Sequence, residues 1–134
     1  MSWVVHKFGG TSVADAACFR RVAGLIAARA EQNLAVVVSA MRGITDELLG
    51  LVEQASRGAD WTKALDAVRA RHAQPAPELL GAESSVWRAQ LEKDLGEIAT
   101  VLEAVARGRS AAPQERDLVA GYGEIWSARL LTAV

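Results

Sequence analysis

The chain has 134 residues, of which 51% are hydrophobic, and its 15 basic and 16 acidic side chains leave a net charge of −1. That length suits one domain with a proper core, and the balanced charge gives no electrostatic footprint for nucleic acid or an anionic membrane. Cys18 is the only cysteine, which excludes an internal disulfide and a cysteine-built zinc site. No apolar run approaches the length of a membrane span. No basic-then-apolar leader precedes the first strand, so a cytoplasmic location is the default expectation.

Trp3 to Phe8 reads as a buried strand, short and largely apolar as central parallel strands are. It runs into Lys7-Phe8-Gly9-Gly10-Thr11-Ser12-Val13, and helical periodicity opens at about Ala14. Strand, Gly-Gly turn, two hydroxyls and helix together make a physical recipe for holding phosphate. Without Cβ atoms, Gly9 and Gly10 can take positive φ and let the backbone approach a ligand. Free N–H groups of the turn and the helix start point toward negative charge. Lys7 adds a compact cation. The same residues also fit an ordinary strand-turn-helix connection with a surface lysine.

Phe19, Val22, Ala23, Ile26, Ala27 and Ala30 recur at helical spacing, with Asn33 where a left-handed C-cap is expected. Cys18 reads as a small buried residue on that helix. Leu34 to Ser39, with Ala35-Val36-Val37-Val38 at its centre, is a second strand, and the three elements form a β-α-β unit. Next comes Ala40-Met41-Arg42-Gly43-Ile44 as a turn, with Thr45-Asp46 starting a helix. Leu48, Leu49, Val52 and Ala55 mark its buried face, and Gly58 ends it. Asp60 can cap a further helix to about Ala73, with Leu65 and Val68 inward, before Pro75 and Pro77 break the pattern.

A long helix is expected from Ser84 or Ser85 to Arg107. Its stripe of Trp87, Leu91, Leu95, Ile98, Leu102 and Val105 has steps of 4, 4, 3, 4 and 3 residues, which fits packing within a helical layer. Pro113 suits the first turn of a last helix carrying Leu118, Val119, Tyr122, Ile125, Trp126, Leu130 and Leu131. Gly121 and Gly123 each cost about 1 kcal/mol inside it, which implies a kink or a close backbone approach. The sequence stops at Leu131-Thr132-Ala133-Val134 without a cap, and two strands make a thin sheet for so many helices. The expectation is the front part of something longer.

Three constellations therefore sit at strand ends or helix starts: Lys7 to Ser12, Ser39 to Asp46, and Gly121-Tyr122-Gly123-Glu124-Ile125-Trp126-Ser127. In open parallel sheets ligands bind beyond the carboxyl ends of strands. No Walker loop occurs, and Gly121-x-Gly123-x-x-Trp126 lacks the third glycine of a dinucleotide fingerprint. His6 and His72 read as structural. Strand alternation points His6 away from Lys7, and His72 sits near a helix end, where a cation suits the dipole.

The full Lys7-to-Val13 run, the run Val38-Ser39-Ala40 through Thr45-Asp46, and Gly123-Glu124 with Ser127 and Leu130-Leu131 resemble the aspartate kinases in order and separation. The resemblance implies an α/β fold, a partial amino-acid-kinase (carbamate-kinase-like) three-layer architecture with a parallel sheet core, helix-rich here. Residues 1–134 would be its N-terminal, aspartate-binding part, with the nucleotide half, the catalytic aspartate and regulatory domains further along. It also implies ATP- and Mg²⁺-dependent phosphorylation of the L-aspartate β-carboxylate, the first step toward lysine, threonine and methionine. The parent would be homo-oligomeric, free-standing or fused to a second biosynthetic enzyme.

Carried over by residue, the resemblance makes Lys7 the catalytic cation, and Lys7, Phe8, Gly9, Gly10, Thr11 and Ser12 the nucleotide-phosphate turn. Ser39, Thr45 and Glu124 would bind aspartate, with no residue assigned to metal. Arg42 departs from the small residue many relatives carry and alters the pocket rim. Other readings stay open: Ser39 as a strand end, Thr45 as an N-cap, Glu124 as a solvated helix residue. So do a different amino-acid kinase, such as one acting on N-acetylglutamate, and a non-catalytic binding or association module.

Overall fold

Two parallel strands set the geometry. In a computed structural model, which describes residues 2–30 and 33–134, β1 spans Val4–Phe8 and β2 spans Leu34–Val38. They pair in register from Val4 opposite Leu34 to Phe8 opposite Val38. Helix α1, Ala16–Ala27, makes the crossover. Asp15 caps it, its Oδ1 accepting from the Cys18 N–H at 2.9 Å, and that bond holds the carboxyl below its usual range. Cys18 is half-buried.

Asn33 does not close α1. The helix ends at Ala27 with Ala28 in the right-handed conformation, and the Asn33 carbonyl instead accepts the Val4 N–H at 2.9 Å. The residue that starts the strand ladder cannot also cap a helix that ended several residues earlier. The strands are also less covered than their sequence suggests, with Val5 62% and Val37 48% exposed. Among the described residues each strand has one hydrogen-bonded neighbour, and helices cover one face of the pair only.

The remaining helices are α2 Ile44–Ser56, α3 Thr62–Ala73, α4 Ala76–Leu80, α5 Ser84–Gly108 and α6 Pro113–Ala133. Gly58 stops α2 with φ +73, and the Asp60 carboxylate accepts from the Thr62 N–H and hydroxyl at 2.9 and 2.7 Å. Pro75 and Pro77 do not merely interrupt: they occupy the start of the short α4, where a missing N–H costs nothing. All six expected stripe residues of α5 are buried, and they pack with α2 and α6 around one core.

On α6 the buried face is Val119, Tyr122, Gly123, Trp126, Ser127 and Leu130, whereas Leu118 and Ile125 are exposed. The stagger of buried positions by three and four residues leaves those two on the opposite face. A buried carboxylate locks α5 to α6. Asp94 accepts from Trp126 Nε1 at 3.0 Å, Arg129 Nη1 at 2.6 Å and Gln90 Nε2 at 3.1 Å. These three donors compensate the charge for its lost water.

His72 is fully buried, with its ring 4.7 Å from that of Trp126. Its Nδ1 lies 2.8 Å from the Val68 carbonyl, and burial pushes its pKa down to about 4. It is a neutral core ring and not the helix-end cation its position suggested.

Candidate functional site

Because β1 and β2 are parallel, both chains leave the sheet at the same edge. Gly9 is extended, at φ −76 and ψ 175, and Gly10–Val13 form a 3₁₀ turn in which the Ser12 N–H donates to the Gly9 carbonyl at 3.0 Å. Neither glycine has positive φ, so conformational freedom is not what this turn needs from them. Gly10 is needed for closeness. A Cβ there would stand 3.1 Å from the Ala40 carbonyl oxygen and 3.5 Å from Arg42 Cα. The α-helix begins later than the periodicity suggested, at Ala16, so the turn's amides belong to the 3₁₀ segment.

The second turn leaves β2 beside the first. The Ser39 N–H donates to the Phe8 carbonyl at 3.0 Å, and the Ile44 N–H to Met41 at 3.0 Å. Gly43, at φ +81, is the left-handed residue that launches α2. Thr45 therefore stands inside the first turn of α2 and not at its cap. Among the described residues the hydroxyls of Ser39 and Thr45 have no hydrogen-bond partner. Gly10 and Thr11 from the first turn, and Ser39, Arg42, Thr45 and Asp46 from the second, line a cleft of about 310 Å³.

The third constellation approaches from α6. A Cβ on Gly123 would fall 2.7 Å from Ala40 Cβ and 3.1 Å from Ile44 Cγ2, so glycine lets α6 seat against the start of α2. Gly121 has open space around it and no such role. Ala40 is thus held between Gly10 on one side and Gly123 on the other. Glu124 follows Gly123, is exposed, and does not line the cleft. Lys7 is exposed on the uncovered face of β1, opposite Val37. It, Phe8, Gly9 and Ser12 also lie outside the cleft wall.

Two residues at or beside the cleft were given no role of their own by the sequence. Asp46 reads as an ordinary first-turn acid that suits the helix dipole, yet it lines the wall. Arg71, in the last turn of α3, donates from Nη1 to the Arg42 carbonyl at 2.6 Å and lies 3.7 Å from Glu47 Oε1. A second cleft of about 320 Å³ is lined by Asp15, Met41, Arg71, Gln74 and Glu78 and contains none of the expected site residues. His6 faces α1, with Phe8, Leu25 and Ile26 around a small cavity. Among the described residues no group of three or more His, Cys, Asp or Glu could hold a metal, and no helix is long and apolar enough to cross a membrane.

Residues 2–134 match the amino acid kinase family. The chain is 38% identical to the bifunctional aspartokinase/homoserine dehydrogenase 1, chloroplastic, of Arabidopsis thaliana, covering 99% of itself and 15% of that protein. It is 36% identical to lysine-sensitive aspartokinase 3 of Escherichia coli (strain K12), covering 98% of itself and 28% of that protein. Two crystal structures of E. coli aspartokinase III superpose on it at 32% identity. The complex with lysine and aspartate gives a TM-score of 0.82 over 98% of this chain and 28% of the other. The complex with aspartate and ADP gives 0.83 over 97% and 28%. The chain therefore spans about 15% of the bifunctional relative's length.

Proposed function

From the premise that the chain belongs to the amino acid kinase family, with that family's fold in part, we propose that it forms the aspartate side of an aspartate kinase. The reaction joins an oxygen of the L-aspartate β-carboxylate to the γ-phosphorus of ATP. The bond to the β,γ-bridging oxygen breaks, giving 4-phospho-L-aspartate and ADP. The observation that carries this reading is the meeting of the two strand-end turns in one cleft, through the contact of Gly10 with Ala40 and Arg42. Complexes of the E. coli relative with aspartate and with ADP support it.

The chemistry suits the residues present. A β-carboxylate, with an ordinary pKa of about 3.9, is already an anion at neutral pH, so the nucleophile needs no general base, and no histidine lines the cleft. What the transfer needs is positioning and charge neutralisation. Gly10 and Thr11 offer backbone and hydroxyl donors to the phosphates, with Phe8, Gly9 and Ser12 framing that turn. Lys7, at the end of β1, would meet charge that develops on the transferring group. Ser39 and Thr45 offer hydroxyls to aspartate, and Glu124, without an ion-pair partner among the described residues, a carboxylate to its ammonium. Bare space around Gly9 fits a phosphate cradle. Mg²⁺ would come with the nucleotide and neutralise phosphate charge, since the described residues build no metal site of their own.

In this reading residues 1–134 are the aspartate-binding part of the kinase domain, the parent enzyme is a cytoplasmic homo-oligomer, and its product feeds lysine and threonine synthesis. The test is hydroxylamine trapping of the acyl phosphate made by the complete polypeptide that carries this chain. Aspartate hydroxamate in step with ADP is expected. ADP formation indifferent to aspartate, with no hydroxamate, overturns the reading.

A further inference from the structure

We propose that Arg71 is a positioning residue for the aspartate turn, a role that rests on the aspartate-kinase reading above. Its Nη1 donates at 2.6 Å to the carbonyl of Arg42. That carbonyl belongs to the peptide bond entering Gly43, the residue at φ +81 that redirects the chain into α2. The orientation of this one peptide decides where Thr45, two residues on, presents its hydroxyl. Glycine reaches the left-handed region freely, but it has no side chain to keep the chain there. A charge-assisted hydrogen bond to the preceding carbonyl supplies that restraint from another helix.

The surroundings strengthen the restraint. The Arg71 side chain is 32% exposed, and Glu47 Oε1 lies 3.7 Å from the same nitrogen. Glu47 is in the first turn of α2, and its N–H donates to the Gly43 carbonyl at 3.1 Å. The guanidinium thus braces both ends of the bend, the loop carbonyl before Gly43 and the helix that follows it. The pair with Glu47 is a surface contact that adds little by itself, so the short bond to the Arg42 carbonyl is the main restraint. Arg71 is not among the residues lining the cleft of Ser39 and Thr45, so it acts on substrate only through the turn.

The test compares Arg71→Met, which keeps the stem and loses every donor, with Arg71→Lys, which keeps one cationic donor, in the complete polypeptide. Arg71→Met is expected to raise the aspartate KM about tenfold, the usual effect of losing a charge-assisted hydrogen bond. The ATP KM is unchanged and kcat stays within about threefold. Arg71→Lys recovers most of the loss. Amide exchange at Ile44 and Glu47, whose N–H groups belong to the turn, speeds up in Arg71→Met while the α5 amides keep the parent's rates. An active parent whose aspartate KM is untouched by Arg71→Met overturns this proposal and leaves the kinase reading standing. So does exchange that rises throughout the core, which would make Arg71 merely structural. A parent without aspartate-dependent turnover overturns the kinase reading itself, and this proposal with it.

Discussion

Trp126 and Gly10 are both fixed in place, by opposite means. Trp126 is 1% exposed, lies edge-on to His72 of α3, stacks on Tyr122 and donates to Asp94 of α5. Gly10 has no side chain at all and is held because Ala40 and Arg42 leave no room for one. Around the tryptophan, apolar burial and satisfied polar groups specify a single arrangement. Around the glycine, backbone geometry specifies a cleft and leaves hydroxyls and amides open. The helical layer is therefore where stability concentrates, and the strand ends are where unpaired polar groups can be left for ligands. Substitutions in the first region should unfold the chain, and substitutions in the second should change what it binds.

The largest stability effect is expected at the core. Trp126→Ala removes a fully buried ring and one of the three donors to Asp94, and should cost about 3–5 kcal/mol in urea unfolding. A loss under about 1 kcal/mol, the scale of an average substitution, would show that the helical layer is not held as described.

Next is an acid dependence at His72, whose pKa falls from 6.5 unfolded to about 4 folded. Above pH 6.5 the ring is neutral in both states and contributes nothing. As pH falls from there to about 4, the unfolded chain takes up a proton that the folded one lacks, so stability drops by about 3 kcal/mol. Below that both states are protonated and the loss levels off. Arg71 nearby acts in the same direction as burial. His72→Phe should flatten the stability–pH curve across this window. An unchanged slope would assign the acid loss to other groups.

The smallest effects sharpen the contrast within one turn. Gly10→Ala should cost about 1 kcal/mol, because the backbone carbonyl of Ala40 must move to admit a methyl group. Gly9→Ala should leave stability within about 0.5 kcal/mol, since Gly9 is extended with nothing within 4 Å. Equal costs at the two positions would deny that closeness at Gly10 joins the turns.

What the sequence discloses follows the same division. The α5 stripe and its ends were legible because one buried face imposes a regular spacing that survives in the residue order. On α6, apolar residues surround the helix, so periodicity alone could not tell Leu118 and Ile125 from Val119 and Trp126. The contact that decides its face is a glycine. Both site turns were legible as glycine and hydroxyl strings after apolar strands, but their meeting at Ala40 is tertiary. Arg71 left no trace, because an arginine amid a polar helix run reads as solvated. Asp46 was visible in the second string but given no role of its own, because an acid is ordinary in a helix's first turn. The strands were found and their cover misjudged, since apolarity reports a tendency to be buried and not the presence of a neighbour.

The central claim is that the strand-end turns divide the labour of phosphoryl transfer, Lys7 meeting the transferred group while the second turn and Glu124 hold aspartate. Steady-state kinetics of Lys7→Ala in the complete polypeptide tests it most directly, because Lys7 is exposed and has no ion-pair partner among the described residues. Folding should be unaffected. The account predicts a kcat lower by about 10²–10³ with the aspartate KM nearly unchanged, and the reverse profile for Glu124→Gln, whose aspartate KM rises first. A Lys7→Ala enzyme with kcat within about threefold of the parent, under 1 kcal/mol in barrier, would contradict it and return the Gly-Gly turn to the role of a structural connection.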